Sequence, residues 1–193
     1  MFRVTNRSCS TLLLPAVLFG ACVVGSTQAD IIHPVSATSD DPVWFGSLDN
    51  LIDGVVDFDS NVGMGTSGSN PFNGPYTIAF DLGASIDLTG FQLWNNGGNI
   101  ELDGEGVDAF TLVFLDAGSS QIDTFAGNAQ DILAMQEFMF SVDGVRSVEL
   151  VIESNHFQDP RDYAVLYEVA FVPGPGSLGV LGVFGLVGSR RRR

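Results

Sequence analysis

An all-β fold, a β-sandwich or jelly roll, is predicted by three observations. Apolar residues recur at every second position in several separate runs, turn-forming residues divide the runs, and only Gln130 to Gln136 reads as a short helix. Alternation with period two sends one set of side chains to one face of a strand, so each run predicts a strand with a buried face. Tyr76, Ile78, Phe80 and Leu82 form the first such face, and Phe110, Leu112 and Phe114 the second. Phe138, Phe140 and Val142 follow, then Val148, Leu150 and Ile152, and last Val165, Tyr167, Val169 and Phe171. Asp81-Leu82-Gly83, Asn95-Asn96-Gly97-Gly98, Asp116-Ala117-Gly118 and Asp143-Gly144 supply the turns. Asp143-Gly144, set between two alternating runs, predicts a hairpin, because the type I′ turn favours that dipeptide.

The two ends read differently from this middle. Arg3 and Arg7, the apolar run Leu12 to Val24 and the small-residue site Thr27-Gln28-Ala29 make residues 1–29 a secretory signal peptide, with cleavage before Asp30. A rival reading makes Cys22 a lipidated cysteine after Leu18-Phe19-Gly20-Ala21, although Phe19 stands where that signal takes a smaller aliphatic residue. Residues 173–193 form a tail: Pro173-Gly174-Pro175, an uncharged apolar stretch from Gly176 to Ser189, and Arg190, Arg191, Arg192 and Arg193. An apolar stretch closed by arginines predicts a short transmembrane helix with its basic end in the cytoplasm. As a helix the stretch rises only about 21 Å against about 30 Å of hydrocarbon, a shortfall that snorkelling arginines and local thinning absorb. The alternative is a flexible apolar tail. Residues 30–172 remain as one domain, long enough to bury a core.

All 23 acidic residues fall within that domain, opposed by Arg146 and Arg161 alone, for a formal charge of 2 − 23 = −21, and the chain has no lysine. Such a surface repels nucleic acid and anionic lipid, which both require cationic partners, and suits divalent cations or neutral polymers. The plainer reading is that the acids keep an exported protein soluble. Cys9 and Cys22 both precede the cleavage site, so the mature domain is expected to lack thiols and with them disulfides, thiol catalysis and cysteine metal sites.

Catalytic motifs are missing. His33 and His156 are the only histidines, and the sequence has neither a His-Glu-x-x-His helix nor a Gly-x-Ser-x-Gly elbow, so a non-catalytic protein is expected. A carboxylate pair for glycoside hydrolysis needs only the right separation in space, which keeps a secreted glycoside hydrolase as the weakest of three readings. Gly63-Met64-Gly65-Thr66-Ser67-Gly68 matches the dinucleotide glycine pattern, but Asn70-Pro71 stands where the phosphate-binding helix should start. Asp57-Phe58-Asp59-Ser60-Asn61 places oxygen donors at alternate positions, as a hard cation such as Ca²⁺ requires, without the glycine and glutamate of an EF-hand. Ordinary turn carboxylates explain the same pattern. For sugar recognition the candidates are Trp44 with Phe45, Trp94 with Asn95 and Asn96, and His156 with Phe157 and Arg161, pairing aromatic faces with convergent polar groups. Against this, most aromatic residues pack into cores, and Phe91, Leu93 and Trp94 cannot share one face. Asp103, Glu105 and Asp108 read as a solvated turn.

Two resemblances follow from these residues. Pro173-Gly174-Pro175, the Gly/Leu/Val stretch and the arginine cluster resemble the PEP-CTERM sorting signal of exported bacterial proteins, with Gly174 where that family carries glutamate. This implies a membrane-anchored precursor that meets exosortase-type sorting machinery. Leu51-Ile52-Asp53-Gly54, Ile78-Ala79-Phe80-Asp81-Leu82-Gly83, Phe91-Gln92-Leu93-Trp94-Asn95 and Leu166-Tyr167-Glu168-Val169-Ala170-Phe171 resemble, in that order, the discoidin-like, galactose-binding-like family, also called coagulation factor type C. That resemblance implies a jelly roll and a structural calcium held by Asp53, with Asn50 nearby, and Glu168, beside the Asp57 and Asp59 candidates. The expected function is an exported, surface-anchored, non-catalytic protein that binds carbohydrate or another extracellular polymer. The alternative is a structural matrix component cross-linked through calcium.

Overall fold

A computed structural model describes residues 31–57, 60–66, 72–97, 104–156 and 162–175. Strands β1 (Ser36–Thr38) and β2 (Val43–Phe45) precede a 3₁₀ helix at Leu48–Leu51, followed by β3 (Val62–Gly65), β4 (Tyr76–Asn95), β5 (Ala109–Leu115), β6 (Gln121–Asn128), β7 (Met135–Ile152) and β8 (Tyr163–Pro173). The long strands β4 and β7 run antiparallel over their whole length, from Tyr76 opposite Ile152 to Trp94 opposite Met135. Their register shifts between Asp81 and Gly90, where the ribbon bends. Gly83 at φ 80° and Gly144 at φ 70° occupy this corner in the left-handed region that favours glycine.

The bend converts one hydrogen-bonded sheet into two layers. The first half of β4 pairs with β1 and the second half of β7, which carries β5 and then β6. The second half of β4 pairs with β8 and the first half of β7, and β3 and β2 extend that layer beyond β8. Aromatic contacts bridge the layers: Phe91 lies 5.8 Å from Phe110, and Phe80 lies 6.2 Å from Phe171. Phe80, Phe91, Phe110, Phe114 and Phe171 are among the largest fully buried side chains, so apolar burial holds the sandwich together. Because β4 leaves and returns, Tyr76 and Asn95 meet at one end, together with the end of β3, the end of β7 and the starts of β5 and β8.

The alternating runs are strands: the Tyr76, Phe110 and Val148 runs bury one face as expected, Phe138 and Phe140 are half-buried, and β8 is buried on both faces; Asp116-Ala117-Gly118 turns the β5–β6 hairpin, the Asp116 carboxylate accepting from the Gly118 and Ser120 N–H groups. Three expectations are corrected. Asp143-Gly144 is not a hairpin, because β7 continues through it: the Gly144 N–H donates to Asp87 Oδ1 at 2.9 Å and the dipeptide forms the corner of the long ribbon. Asp81-Leu82-Gly83 likewise lies inside β4. Gln130 to Gln136 is not helical, since the Gln136 side chain closes a bend by accepting from Gln130 N–H and donating to its carbonyl, and β7 begins at Met135. The helical turn forms instead at Leu48–Leu51, where the Ser47 hydroxyl caps Asp49 N–H.

The signal peptide lies outside the described residues, as does the tail beyond Pro175. Among the described residues no helix is long and apolar enough to cross a membrane.

Candidate functional site

The end of the sandwich where β4 starts and stops carries a set of loops fixed by buried polar groups. Asn95 is fully buried: its amide donates to the carbonyls of Val107 (2.7 Å) and Gln130 (3.1 Å), and its oxygen accepts from Val107 N–H (2.8 Å). One side chain thus ties two loops to the end of β4. Gly106 in the first of them approaches so closely that a Cβ would lie 2.0 Å from the carbonyl oxygen of Asn96. Asn96, also fully buried, accepts from the Tyr167 hydroxyl at 3.4 Å.

Asp162, 2% exposed at the start of β8, fixes a third loop. Its carboxylate accepts from the Thr66 hydroxyl, from the Tyr76 hydroxyl and from Asn73 N–H at 3.2 Å, while its carbonyl accepts from Thr66 N–H at 3.0 Å. Burial alone would raise the carboxyl; the Thr66, Tyr76 and Asn73 hydrogen bonds outweigh it and hold Asp162 below the ordinary carboxylate value. Burial, reinforced by the Asp162 charge, raises the Tyr76 phenol, which stays protonated and donates.

On this frame sits an aromatic shelf. Trp44 is 44% exposed, and its ring centroid lies 4.5 Å from that of Tyr163 and 4.9 Å from that of Phe45. The Tyr163 hydroxyl donates to Glu105 Oε1 at 2.7 Å, and Glu105 is fully buried rather than in a solvated turn. Asn155 donates to the Tyr163 carbonyl at 2.7 Å, and the next residue, His156, donates its N–H to the Gly106 carbonyl at 3.1 Å. The Nε2 of His156 is buried with no hydrogen-bond partner among the described residues. An exposed ring face, a clamped phenol, a buried carboxylate and an imidazole therefore belong to one loop cluster, the combination by which a saccharide's apolar face and hydroxyls are held together.

Of the residues expected to touch ligand, Trp44 and His156 are brought to the same end. Asn95 and Asn96 lie beneath the loops as their scaffold, and Arg161 lies outside the described residues. Trp94 faces away from Leu93 on the outer side of the sheet, opposite Met135 and Glu168 in register. Tyr163, Asn155 and Asp162 were not anticipated, and no sequence motif marks them; their roles arise from distant contacts with Glu105, the β3 end and the β4 start.

The expected cation position lies elsewhere, under the loop that follows β2. Glu168, 1% exposed, shares a hydrogen bond of 3.0 Å between its Oε1 and His33 Nδ1, and its Oε2 has no hydrogen-bond partner among the described residues. Burial pushes its carboxyl up to about 8, the Asp53 carboxylate adding to the rise and the Gly54 N–H opposing it. A buried carboxylate oxygen without a donor, beside a second carboxylate, suits a hard cation at Glu168 and Asp53. The support stops there. Asp59 lies outside the described residues, and among the described residues no three His, Cys, Asp or Glu side chains converge.

No protein-family model and no curated protein matches the chain. Solved structures do. The lectin domain of lectinolysin, in complex with Lewis b antigen, superposes with a TM-score of 0.56 at 17% identity, over 72% of this chain and 92% of that one. A fucose-binding module of Streptococcus pneumoniae gives 0.57 at 13% identity, over 76% and 96%. The family 32 carbohydrate-binding module of NanJ from C. perfringens, in complex with galactose, gives 0.51 at 12% identity, over 70% and 91%. The chain therefore shares the β-sandwich fold of these lectin and carbohydrate-binding modules.

Proposed function

We propose that this chain is an exported, non-catalytic carbohydrate-binding protein that takes its ligand on the Trp44–Tyr163–His156 face. The observation that carries the reading is Trp44: a large aromatic surface left 44% exposed while its other side rests on Tyr163, whose hydroxyl is fixed by buried Glu105. A ring held rigid in this way presents a stacking surface at low entropic cost. That solved structures of the same fold carry Lewis b antigen and galactose supports sugar over other polymers. The signal peptide and the PEP-CTERM-like tail support export, a transient membrane anchor and handling by exosortase-type machinery, with Gly174 as the position to test for processing. A glycan array probed with the wild-type protein and with Trp44→Ala tests the reading. Selective binding that the substitution abolishes is expected, and binding unaffected by it overturns the proposed face.

A second reading, a matrix component held together by calcium, draws on the unpartnered Glu168 Oε2 beside Asp53. In it these two carboxylates and the oxygens of the surrounding loop hold a structural Ca²⁺. Sedimentation with and without chelator separates the two: assembly lost on chelation favours the matrix component.

A further inference from the structure

The way the chain leaves the sandwich decides which end of the domain can meet a membrane. β8 starts at the loop end, where Tyr163 supports Trp44, and finishes at the corner, where Pro173 lies opposite Leu88. Its 11 residues cover about 33 Å, which separates the two ends. The exit at the corner is fixed. Gly174 is buried, its N–H donates to the Asp87 carbonyl at 2.7 Å, and a Cβ on it would lie 3.3 Å from the Asp87 Cβ. Pro175 follows, and the uncharged apolar stretch begins at Gly176. From Gly174 to Gly176 the chain reaches at most about 7 Å. The headgroup layer over one leaflet is about 5–8 Å thick. A stretch that is already short for the hydrocarbon has no residues to spare as a spacer. Once it enters a bilayer, the corner must lie in the headgroup layer.

We propose that this corner is a membrane-apposed face: the anchored domain rests Val35, Gly83 and Ala84 among zwitterionic headgroups and carries the Trp44 end about 33 Å outward, away from the bilayer. The inference rests on the reading of the tail as a membrane anchor and adds the surface that meets the lipid. The surface of the corner suits that contact. Val35, at 66% the most exposed large apolar side chain among the described residues, packs beside Gly83, and Gly83, Ala84 and Ser85 form an exposed, uncharged tip. Zwitterionic lipid is the partner because the corner offers anionic headgroups little attraction: the Arg146 guanidinium is paired with Asp81 at 3.0 Å, and Asp143 is exposed. A polymer bound on Trp44 is then held clear of the membrane to which the domain is tied.

The native tryptophans supply the control, since Trp44 and Trp94 both lie toward the loop end. The exported chain, tail intact, is placed in phosphatidylcholine vesicles in which part of the lipid carries a spin label on its headgroup, a quencher confined to the headgroup layer. Wild-type tryptophan emission should be unchanged by the label. Val35→Trp and, independently, Ala84→Trp place a ring at exposed positions of the corner, and the emission that each adds should be lost in labelled vesicles. Added emission that survives in vesicle-bound protein, or wild-type emission that is lost, overturns the membrane-apposed corner and leaves the anchor standing. Protein that does not float with the vesicles overturns the anchor reading and this inference with it.

Discussion

Asp162 offers the most direct test of how the fold builds its loop end. In Asp162→Ala the Thr66 hydroxyl, the Tyr76 hydroxyl and the Asn73 N–H all lose their acceptor. Hydrogen bonds to a charged acceptor contribute about 1.5–3 kcal/mol each. Thr66 and Asn73 are exposed and recover water, while Tyr76, only 5% exposed, falls back on Asn73 Oδ1 and on the backbone carbonyl of residue 162, both of which already accept from it. The net cost is therefore closer to one full bond plus the loss of a fixed loop, about 3 kcal/mol, or about 6–12 °C in Tm for a domain of this size. Asp162 also leaves a pH signature. Its carboxyl is held below the unfolded value, so its contribution is present above that value and disappears as pH falls through the folded one. Thermal unfolding by circular dichroism from pH 7 down to pH 2 should show a lower Tm at neutral pH for Asp162→Ala and a flatter acid branch than wild type. A variant with unchanged Tm and the same acid branch would refute the view that this carboxylate organises the loops.

Glu168 titrates in the opposite sense. Its carboxyl is raised from 4.5 to about 8, so the stability it confers is complete below the unfolded value and lost as pH rises through about 8. Glu168→Gln should flatten that alkaline loss, on the order of a few kcal/mol, in denaturant titrations at pH 5 and pH 9. If Glu168 and Asp53 bind Ca²⁺, the ion at a hundredfold excess over its Kd adds about 2.7 kcal/mol, and an unchanged Tm in calcium removes the ion from the account. Gly65, at φ 119°, has no room for a side chain, since a Cβ would lie 2.1 Å from the Asp162 carbonyl oxygen; Gly65→Ala should cost at least about 2 kcal/mol by chemical denaturation. Phe91→Ala removes a fully buried ring in contact with Phe110, Phe138 and Phe171 and should cost about 3–5 kcal/mol in the same assay.

Period-two alternation in Tyr76 to Leu82, Phe110 to Phe114 and Val148 to Ile152 was enough to read the strands and their buried faces, because those strands have one face in the core. It could not reveal β6, an edge strand whose residues are mostly exposed and carry no such pattern. Nor could it separate a turn from a corner: Asp143-Gly144 satisfies a hairpin locally, and only the pairing of β7 with β4 on both sides of it makes the strand run on. The site divided in the same way. Trp44 and His156 could be picked out by residue type, as an aromatic and an imidazole outside the alternating runs. Asn95 and Asn96 drew the same reading by type, yet both are fully buried: the Asn95 amide closes the loops at Val107 and Gln130, and Asn96 accepts from Tyr167 in β8. Asp162, Tyr163 and Glu105 act through partners from 58 to 96 residues distant, a relation that only the folded chain displays.

The claim on which the function rests is that sugar is held on the Trp44–Tyr163–His156 face. Two-dimensional NMR of the domain, titrated with the tightest-binding oligosaccharide from the glycan array, addresses it directly. The account predicts saturable shifts at the Trp44 indole, at Tyr163 and at His156, with the corner around Asp87 and Arg146 unmoved. Shifts confined to that corner or to the Trp94 face, or no shifts at all, would contradict it.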